Sequence, residues 1–329
     1  MDKRLKNKNI LVTGGAGFIG SNLCEYLVDD NKVVCLDNLS TGHMRNIDSL
    51  LDHSNFSFVE ADITNFEACL EVTKDVDVVF HQAALGSVPR SIKEPRNTNA
   101  ANITGFLNMI EASRQNGVKR FVYAASSSTY GDSVSLPKIE EEIGSPLSPY
   151  AVTKYVNELY AEVYSKLYGI ETIGLRYFNV FGRRQDPEGA YAAVIPKFID
   201  LLLRGIPPTI NGDGEQTRDF THIDNVILAN LLSATTTNPE ALNTVYNVAC
   251  GSYVSLNTLF EEIRAILSEH DAKVAHMEVN YGPERVGDIK SSLASIDKAK
   301  HNLNYQPLVQ LKEGLNRSVE YYMDLLKVE

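Results

Sequence analysis

The chain has 329 residues, of which 43% are hydrophobic and 22% charged, and its formal net charge is −11 at pH 7. This composition is ordinary for a globular protein, and the length allows two domains or one domain with an added lobe. Nucleic-acid binding requires a broad basic surface, so we expect no nucleic-acid partner, and an anionic ligand must be met by a few local cations.

Membrane and export signals are not seen. No stretch of 18 apolar residues occurs, so we expect neither a signal peptide nor a membrane span. The four cysteines form no C-x-x-C pair, and we interpret them as buried, reduced thiols. This usage is typical of a cytoplasmic protein.

The first half of the chain alternates β-branched runs with amphipathic segments. The predicted strands are 9–13, 32–37, 56–60, 77–81, 120–126 and 171–178, and the predicted helices between them are 17–29, 65–73, 98–115 and 148–168. Such alternation predicts an α/β fold with a Rossmann-type, doubly wound parallel sheet.

After residue 180 the pattern loosens into Gly- and Pro-rich loops around helices expected at 191–204, 224–235, 255–270 and 310–326. We therefore expect a nucleotide-binding domain over 1–178 and a smaller mixed α/β substrate lobe over 179–329. A segment near 219–250 is expected to return to the large domain.

A glycine-rich loop, TGGAGFIG, follows the first predicted strand and opens the first helix. Gly15-x-Gly17-x-x-Gly20 and Gly14-x-x-Gly17-x-x-Gly20 both fit a dinucleotide-binding fingerprint. Glycines permit a tight turn and a close approach of the backbone to a pyrophosphate at the helix N-terminus. A plain tight turn is the alternative interpretation.

Asp37 ends the second predicted strand, where a carboxylate binds the adenosine ribose in such folds. Its charge would repel a 2′-phosphate, which favours NAD over NADP as the cofactor. Asp62 and Ile63, just after the third strand, are placed to hold the adenine, although a solvated loop acid is nearly as plausible for Asp62.

Tyr150 and Lys154 are four residues apart on a predicted helix and therefore share one face. An ammonium held there favours a phenolate, and this makes tyrosine a usable base near neutral pH. Ser126, at the end of the fifth strand, can hold a substrate oxygen. A solvated helix face is the alternative for the pair alone, but the glycine loop and the serine strand favour catalysis.

Together with LRYFNVFG, RDFTHIDN and GDIKSSLASIDKA, these motifs resemble the extended short-chain dehydrogenase/reductases over essentially the whole chain. Within that family the chain is most similar to nucleotide-sugar 4-epimerases, specifically bacterial UDP-N-acetylglucosamine 4-epimerases. The resemblance implies tightly bound NAD and catalysis by Ser126, Tyr150 and Lys154. The cofactor-binding residues it implies are Gly14, Gly17, Phe18, Ile19, Gly20, Asp37, Asn38, Ser40, Gly42, Asp62, Ile63, Gln82, Ala83, Ala84, Tyr150, Lys154, Tyr177 and Val180.

The same resemblance indicates which reaction to expect. The 4,6-dehydratases of this framework carry an Asp-Glu pair on the serine strand, where this chain has Ser127 and Ser128. An epimerase needs no such acid. The resemblance then implies that Tyr150 removes the O4 proton, that Lys154 lowers the pKa of Tyr150, and that Ser126 hydrogen-bonds O4.

A UDP-sugar is the implied substrate. Arg218 and Arg285 match the diphosphate-binding arginines of the family, and bidentate geometry explains arginine there. By the same resemblance, Ser292 occupies the place where a bulky residue would exclude an N-acetyl group. The implied substrate-binding residues are Gly86, Ser87, Ser126, Ser127, Tyr150, Asn179, Ala193, Val194, Lys197, Thr209, Asn211, Arg218, Arg285, Asp288 and Ser292.

Several alternatives remain at this point. A UDP-N-acetylglucosaminuronate epimerase would resemble this chain, with Arg90 or Arg183 meeting the carboxylate, and a catalytically silent NAD-binding protein is a remote possibility. We expect a homodimer that pairs helices 98–115 and 150–167. We expect no metal, because His81 and His222 lack spaced ligand partners, and we interpret His222 as a loop residue.

Overall fold

The computed structural model describes residues 5–187, 193–284 and 290–328. In chain order, the strands are β1 (Asn9–Thr13), β2 (Lys32–Asp37), β3 (Phe56–Glu60), β4 (Val78–His81), β5 (Arg120–Ser126), β6 (Glu171–Tyr177), β7 (Val180–Phe181), β8 (Thr209–Asn211), β9 (Thr217–Arg218), β10 (Thr221–His222), β11 (Thr244–Val248), β12 (Val254–Ser255) and β13 (Asn280–Gly282). The α-helices are α1 (Phe18–Leu27), α2 (Phe66–Val72), α3 (Val88–Lys93), α4 (Pro95–Asn99), α5 (Gly105–Gln115), α6 (Pro149–Tyr168), α7 (Val194–Leu203), α8 (Ile223–Thr235), α9 (Leu256–Ser268), α10 (Asp297–Leu303) and α11 (Leu311–Val328).

Seven parallel strands form the central sheet, in the order β11-β6-β5-β4-β1-β2-β3. The apolar strand runs are buried on both faces, as a sheet covered by helices requires. Helices α1 and α8 pack together on one face, and α2, α5 and α6 on the other. The structure confirms the doubly wound α/β fold.

The order of the strands reverses between β1 and β4. Chain order runs outward from β1 through β2 to β3, and then resumes on the other side of β1 with β4. At such a switch point the loops after two adjacent strands part and leave a crevice at the carboxyl edge of the sheet. This geometry determines where the cavity described below lies.

The helix predicted over 98–115 is not one continuous helix. It comprises α4, a wider π turn over Ala100–Thr104, and α5. Asn102, in the wide turn, accepts a hydrogen bond from the Leu85 N–H (2.8 Å) and donates one to the Thr153 hydroxyl (3.0 Å). The Asn157 side chain on α6 also donates to the Asn102 carbonyl (2.7 Å). A side chain that bonds a backbone carbonyl of the helical ladder is a known cause of local helix irregularity, and these bonds tie the segment after β4 to α6.

The smaller lobe has its own core, in which α7, α9 and α11 pack together around Phe198, Phe260 and Leu315. Its strands are short: β8 pairs with β13 and β9 with β12, beside the β7–β10 pair. Strand β11, absent from the strands expected from sequence, adds to the large sheet beside β6. From the separate core and the short strands, we propose that the chain divides into a large sheet-containing domain and a smaller lobe.

Two sequence interpretations change with the structure. His222 is not a loop residue: it is buried, ends β10 and caps α8 by accepting a hydrogen bond from the Asp224 N–H. Cys24, Cys35 and Cys69 are buried free thiols as expected, whereas Cys250 is only partly buried.

Candidate functional site

A cavity of about 960 Å³ opens at the carboxyl edge of the sheet. It extends from the glycine loop, across the ends of β2, β4, β5 and β6, to the start of α7. Its lining residues are Gly14, Gly17, Phe18, Ile19, Gly20, Leu36, Asp37, Asn38, Ser40, Thr41, His43, Ala61, Asp62, Ile63, Thr64, Gln82, Ala83, Ala84, Leu85, Gly86, Arg90, Asn97, Ala100, Ala101, Ala124, Ala125, Ser126, Tyr150, Lys154, Tyr177, Val180, Gln185, Asp186 and Ala193.

Gly14, Gly15 and Gly20 each lie in a different environment, and none of the three leaves room for a side chain. Gly14 has φ +66°, and a Cβ there would lie 2.7 Å from the Ala83 backbone. A Cβ on Gly20 would lie 2.1 Å from the Gly14 carbonyl oxygen, so the helix can approach the loop only through glycine. Gly15 faces Cys35 instead of the cavity, so Gly14-x-x-Gly17-x-x-Gly20 is the version of the fingerprint that lines it.

The carboxylates of Asp37 and Asp62, at the end of the cavity expected to hold adenosine, are held in place by hydrogen bonds. Asp37 accepts from the N–H groups of Ala16 (3.0 Å) and Leu39 (2.8 Å). Asp62 accepts from the Thr64 N–H (2.8 Å) and the Asn38 side chain (2.7 Å). Burial acts to raise the pKa of Asp62, but the hydrogen bonds from Thr64 and Asn38 outweigh it and leave that pKa below its ordinary value.

All but one of the cofactor-binding residues inferred from the resemblance lie on this lining. The exception is Gly42, where a Cβ would lie 2.9 Å from an Asp37 carboxylate oxygen. Gly42 therefore packs against the side chain that would bind the ribose. At the other end, Tyr177 donates to Gln82 Oε1 (3.1 Å) and accepts from Asn230 (2.9 Å), which fixes the phenol in the cavity wall.

Ser126, Tyr150 and Lys154 meet on one wall of the cavity. Ser126 ends β5, and its oxygen accepts hydrogen bonds from the N–H (3.2 Å) and hydroxyl (2.9 Å) of Ser128. The helix α6 that carries the other two begins at Pro149 and is capped by the Ser148 side chain, which accepts from the Ala151 N–H (3.1 Å). Lys154 is buried and donates to the Ala124 carbonyl (2.8 Å).

The protonation of this group differs from the sequence expectation. Burial raises the pKa of Tyr150, and only a hydrogen bond with Ser126 opposes that increase. Burial also lowers the pKa of Lys154 to about 8, although the nearby Glu158 carboxylate acts in the opposite direction. In the described structure, therefore, the expected lowering of the Tyr150 pKa by Lys154 is not seen, because burial dominates both groups.

The residues expected to bind the sugar nucleotide separate into two sets. Gly86, Ser126, Tyr150 and Ala193 line the cavity. Outside the lining are Ser87, Ser127, Asn179, Val194, Lys197, Thr209, Asn211, Arg218 and Ser292. Arg285 and Asp288 lie outside the described residues.

Most of the second set gathers in the small lobe. The Ser292 N–H donates to the Thr217 carbonyl (3.1 Å), which places Ser292 beside the strand that carries Arg218. The Asn179 side chain donates to the Asp219 carbonyl (2.9 Å), and Lys197 is exposed on α7. Strand β13 lies beside Thr209 and Asn211 on β8.

Sequence reasoning missed a group of residues at the cavity mouth. His43 and Asp186 both line the cavity, and they approach each other to 3.5 Å. Asp186 follows Gln185, another lining residue, in the GRRQD segment after β7. The polar character of that loop was a signal, but only the fold brings it to His43.

The cavity fits a dinucleotide. The N-terminus of α1 has no side-chain cap and no acidic residue in its first turn, so its N–H groups and dipole remain available to a pyrophosphate. The glycines leave room for that group, and the Asp37 carboxylate lies where ribose hydroxyls donate in this fold. Tyr150, Lys154 and Ser126 lie on the same lining, so they can reach a reactive ring of the dinucleotide.

A family model described as the NAD dependent epimerase/dehydratase family matches residues 10–249. The chain belongs to this family. A putative UDP-glucose 4-epimerase of Methanocaldococcus jannaschii is 39% identical over 95% of this chain and 97% of its own length.

Solved structures of UDP-sugar 4-epimerases are similar to this chain. A UDP-N-acetylglucosamine 4-epimerase from Methanobrevibacter ruminantium M1, in complex with UDP-N-acetylmuramic acid, has 41% identity and a TM-score of 0.91, covering 98% of this chain and 100% of that one. A UDP-glucuronic acid 4-epimerase from Bacillus cereus, with UDP-glucuronic acid and NAD, has 34% identity and a TM-score of 0.86, covering 96% and 99%.

Family membership makes NAD the cofactor of this chain, and its relatives place it among enzymes of the UDP-sugar 4-epimerase type. Across residues 5–187, 193–284 and 290–328, no group of three or more His, Cys, Asp or Glu side chains is arranged to hold a metal ion. No helix in the described part of the chain has the length and apolar character that crossing a membrane requires.

Proposed function

We propose that this enzyme interconverts the C4 epimers of a UDP-N-acetylhexosamine, UDP-GlcNAc and UDP-GalNAc. The observation that carries the proposal is the meeting of Ser126, Tyr150 and Lys154 on the wall of a cavity whose other end has a dinucleotide fingerprint. Directly after β5, where a dehydratase is expected to carry acids, this chain has Ser127 and Ser128. Oxidation and reduction at the same carbon require no further acid.

Each residue of the group has a role in this reaction. Tyr150 accepts the proton of the sugar O4 and returns it when the opposite epimer forms. Ser126 donates to O4, and its own oxygen is oriented by Ser128 (2.9 Å). Lys154, held by the Ala124 carbonyl (2.8 Å), lies one helical turn from the phenol, and in this role its ammonium acts against the burial that raises the Tyr150 pKa. NAD, when bound, supplies the acceptor and donor of hydride at C4.

The preference for an N-acetylated sugar is supported by Ser292 and by the 41% identical UDP-N-acetylglucosamine 4-epimerase. Ser292 lies beside the Arg218 strand and is only partly exposed. A serine leaves space that a tyrosine would fill. Discrimination by such space is worth a few kcal/mol at most, so weaker turnover of UDP-Glc is expected.

A uronate sugar is the second candidate, because Arg90 lines the cavity. Of the two arginines considered from sequence, Arg183 instead bonds Glu25 and Asp224 (both 3.1 Å) and is not on the lining. The 34% identical UDP-glucuronic acid 4-epimerase shares this fold. Arg90 is the residue that would meet a C6 carboxylate.

The test uses purified protein with no added cofactor. It is incubated separately with UDP-GlcNAc, UDP-Glc and UDP-GlcNAc-uronate, and the C4 epimers are resolved by proton NMR. UDP-GalNAc as the fastest product supports the proposal together with retained NAD. Faster conversion of UDP-GlcNAc-uronate would favour the uronate epimerase over the N-acetylhexosamine epimerase. If no product forms even with added NAD, both functions would be contradicted.

We also propose a homodimer formed through α6. Val152, Leu159, Val163 and Leu167 are between 43% and 68% exposed along one side of this helix. We expected α5 to contribute apolar residues to this dimer surface as well. Its residues Phe106, Met109 and Ile110 are instead buried in the core of the chain, so α6 supplies most of the exposed apolar surface. Light scattering that gives the mass of one chain at micromolar concentration would contradict the dimer.

A further inference from the structure

A buried ion pair lies one helical turn beyond Lys154. Tyr150, Lys154 and Glu158 follow one another at intervals of four residues on α6 and therefore share one face of the helix. Arg176, on β6, donates two hydrogen bonds to the Glu158 carboxylate, one from Nε to Oε1 (2.9 Å) and one from Nη2 to Oε2 (2.7 Å). The Glu158 side chain is 8% exposed and the Arg176 side chain 3%.

The ion pair lies next to the ends of the two strands that carry Tyr177 and Ser126. Arg176 precedes Tyr177, which lines the cavity and pairs in register with Ser126. Successive strand residues point to opposite faces, so Arg176 meets α6 while Tyr177 faces α8. The Arg176 guanidinium also donates to the Glu140 carbonyl (2.9 Å) and lies 4.9 Å from the centre of the Tyr130 ring.

Stability alone is a poor explanation of this pair. Taking two charges out of water costs several kcal/mol, and apolar residues of similar volume often replace a buried pair without loss. A buried carboxylate beside a buried ammonium, in contrast, has a direct electrostatic effect. Burial lowers the pKa of Lys154 to about 8, and Glu158 is the group that acts to raise it.

The remaining titratable groups near Lys154 carry no charge at neutral pH. Burial, with a contribution from Lys154, lowers the pKa of His81 on β4 to about 3. Burial raises the pKa of Tyr123 on β5 and that of Tyr150 on α6. Glu158 is therefore the charged group seen to act on Lys154 in the described structure, and Arg176 is its ion-pair partner.

We propose that Glu158 and Arg176 are positioning residues that set the charge of Lys154, and through it the reactivity of Tyr150. Glu158 favours the ammonium, and Arg176 limits that effect by neutralising most of the carboxylate while it locks α6 to the strand ends. The inference rests on the proposed function for its kinetic consequence, but the electrostatic effect on Lys154 does not depend on the substrate.

The two partners should therefore have opposite effects. Without the Glu158 charge, the ammonium loses its stabilising partner, so the pKa of Lys154 falls. Without the Arg176 charge, the Glu158 carboxylate acts on the lysine undiminished, so the pKa rises. We expect shifts of about one pH unit in each direction.

The experiment compares Glu158→Gln and Arg176→Gln with the unaltered holoenzyme. The first readout is an NMR titration of the lysine ε-carbon resonances, with Lys154 assigned by Lys154→Arg. The second is the alkaline limb of kcat/KM for UDP-GlcNAc, which falls as the ammonium loses its proton. We expect both to move to lower pH in Glu158→Gln and to higher pH in Arg176→Gln.

Glu313→Gln is the matched control, because it removes an exposed carboxylate that bonds Arg317 (2.5 Å) on α11, in the small lobe and away from the cavity. It should leave both readouts unchanged. If the single variants do not fold, the double variant Glu158→Leu/Arg176→Met should move both readouts to lower pH, by less than one unit, because the closer partner of Lys154 has gone.

Shifts in the same direction, no shift, or a kinetic limb that does not follow the titration would overturn the proposal. If only the double variant folds, a titration equal to that of the unaltered enzyme would overturn it. Failure of the proposed function is distinguishable, since the unaltered enzyme would then convert no UDP-sugar while the NMR titration would still decide the electrostatic effect.

Discussion

The proposed nucleotide side and the proposed sugar side of the site are held in different ways. On the nucleotide side, Asp37, Gln82 and Ser126 are at or next to the ends of parallel strands, each with neighbours in the sheet. On the sugar side, Arg218 lies on a two-residue strand, and Ser292 is joined to it by a bond to the neighbouring Thr217. The large sheet makes the first set rigid, while the second depends on short segments of a small lobe.

This difference has a consequence for specificity. The seven-stranded sheet and the helix α6 packed on it would hold the proposed cofactor site and reacting group whatever the sugar, because the backbone bonds of the sheet extend on both sides of the site. Short lobe segments can change without disturbing that sheet. Substitutions on the nucleotide side should therefore remove the reaction or the cofactor, and substitutions on the sugar side should change which substrate reacts.

The largest effect is expected from Tyr150→Phe. Removing the hydroxyl that transfers the O4 proton should lower kcat by about 10³-fold, within the range for general acid–base groups, while KM and bound NAD change little. Proton NMR of UDP-GlcNAc conversion measures the loss. Tyr168→Phe is the matched control at the far end of the same helix, and a Tyr150→Phe variant as active as this control would contradict the proposed mechanism.

Gly14→Ala should affect the fold and the cofactor together. Its positive φ of +66° is unfavourable for alanine, and the new methyl would lie 2.7 Å from the Ala83 backbone. Gly117→Ala isolates the first effect, because Gly117 has φ +69° and no atom within 4 Å of its Cβ position. We expect Gly117→Ala to cost about 1 kcal/mol of unfolding free energy.

Gly14→Ala should cost more than this and should release NAD. Thermal unfolding and the NAD recovered from denatured protein measure the two effects. Equal stability of the two variants with full NAD content would mean that the loop can move away from Ala83, and the rigidity ascribed to the nucleotide side would then be wrong.

The smallest effect is expected from Ser292→Tyr, which should lower kcat/KM for UDP-GlcNAc about tenfold more than for UDP-Glc. The reason is that a tyrosine fills the space ascribed to the acetamide, while Ser126, Tyr150 and Lys154 are unchanged. Ser57→Tyr, on the exposed edge strand β3, is the control for the substitution itself. An equal loss with both substrates would contradict the specificity role of Ser292.

The sequence by itself determined six of the seven strands of the large sheet and the residues of the proposed reacting group. Apolar β-branched runs specify the first six strands because burial on both faces leaves little choice of residue. The glycine loop and the four-residue spacing of Tyr150 and Lys154 can also be recognised from short segments of sequence. Residues four apart lie on the same face of a helix, so one turn of backbone is enough to place the two side chains together. The Asp37 position follows from the end of a predicted strand in the same way.

Only the tertiary structure decided which of these residues meet. It assigned Gly15 to Cys35 instead of the cavity, Arg183 to Glu25 and Asp224, and the apolar residues of α5 to the core. It added β11 to the sheet and joined Glu158 to Arg176. Each of these outcomes depends on partners distant in the chain, and a local pattern carries no information about a partner that only folding brings into contact.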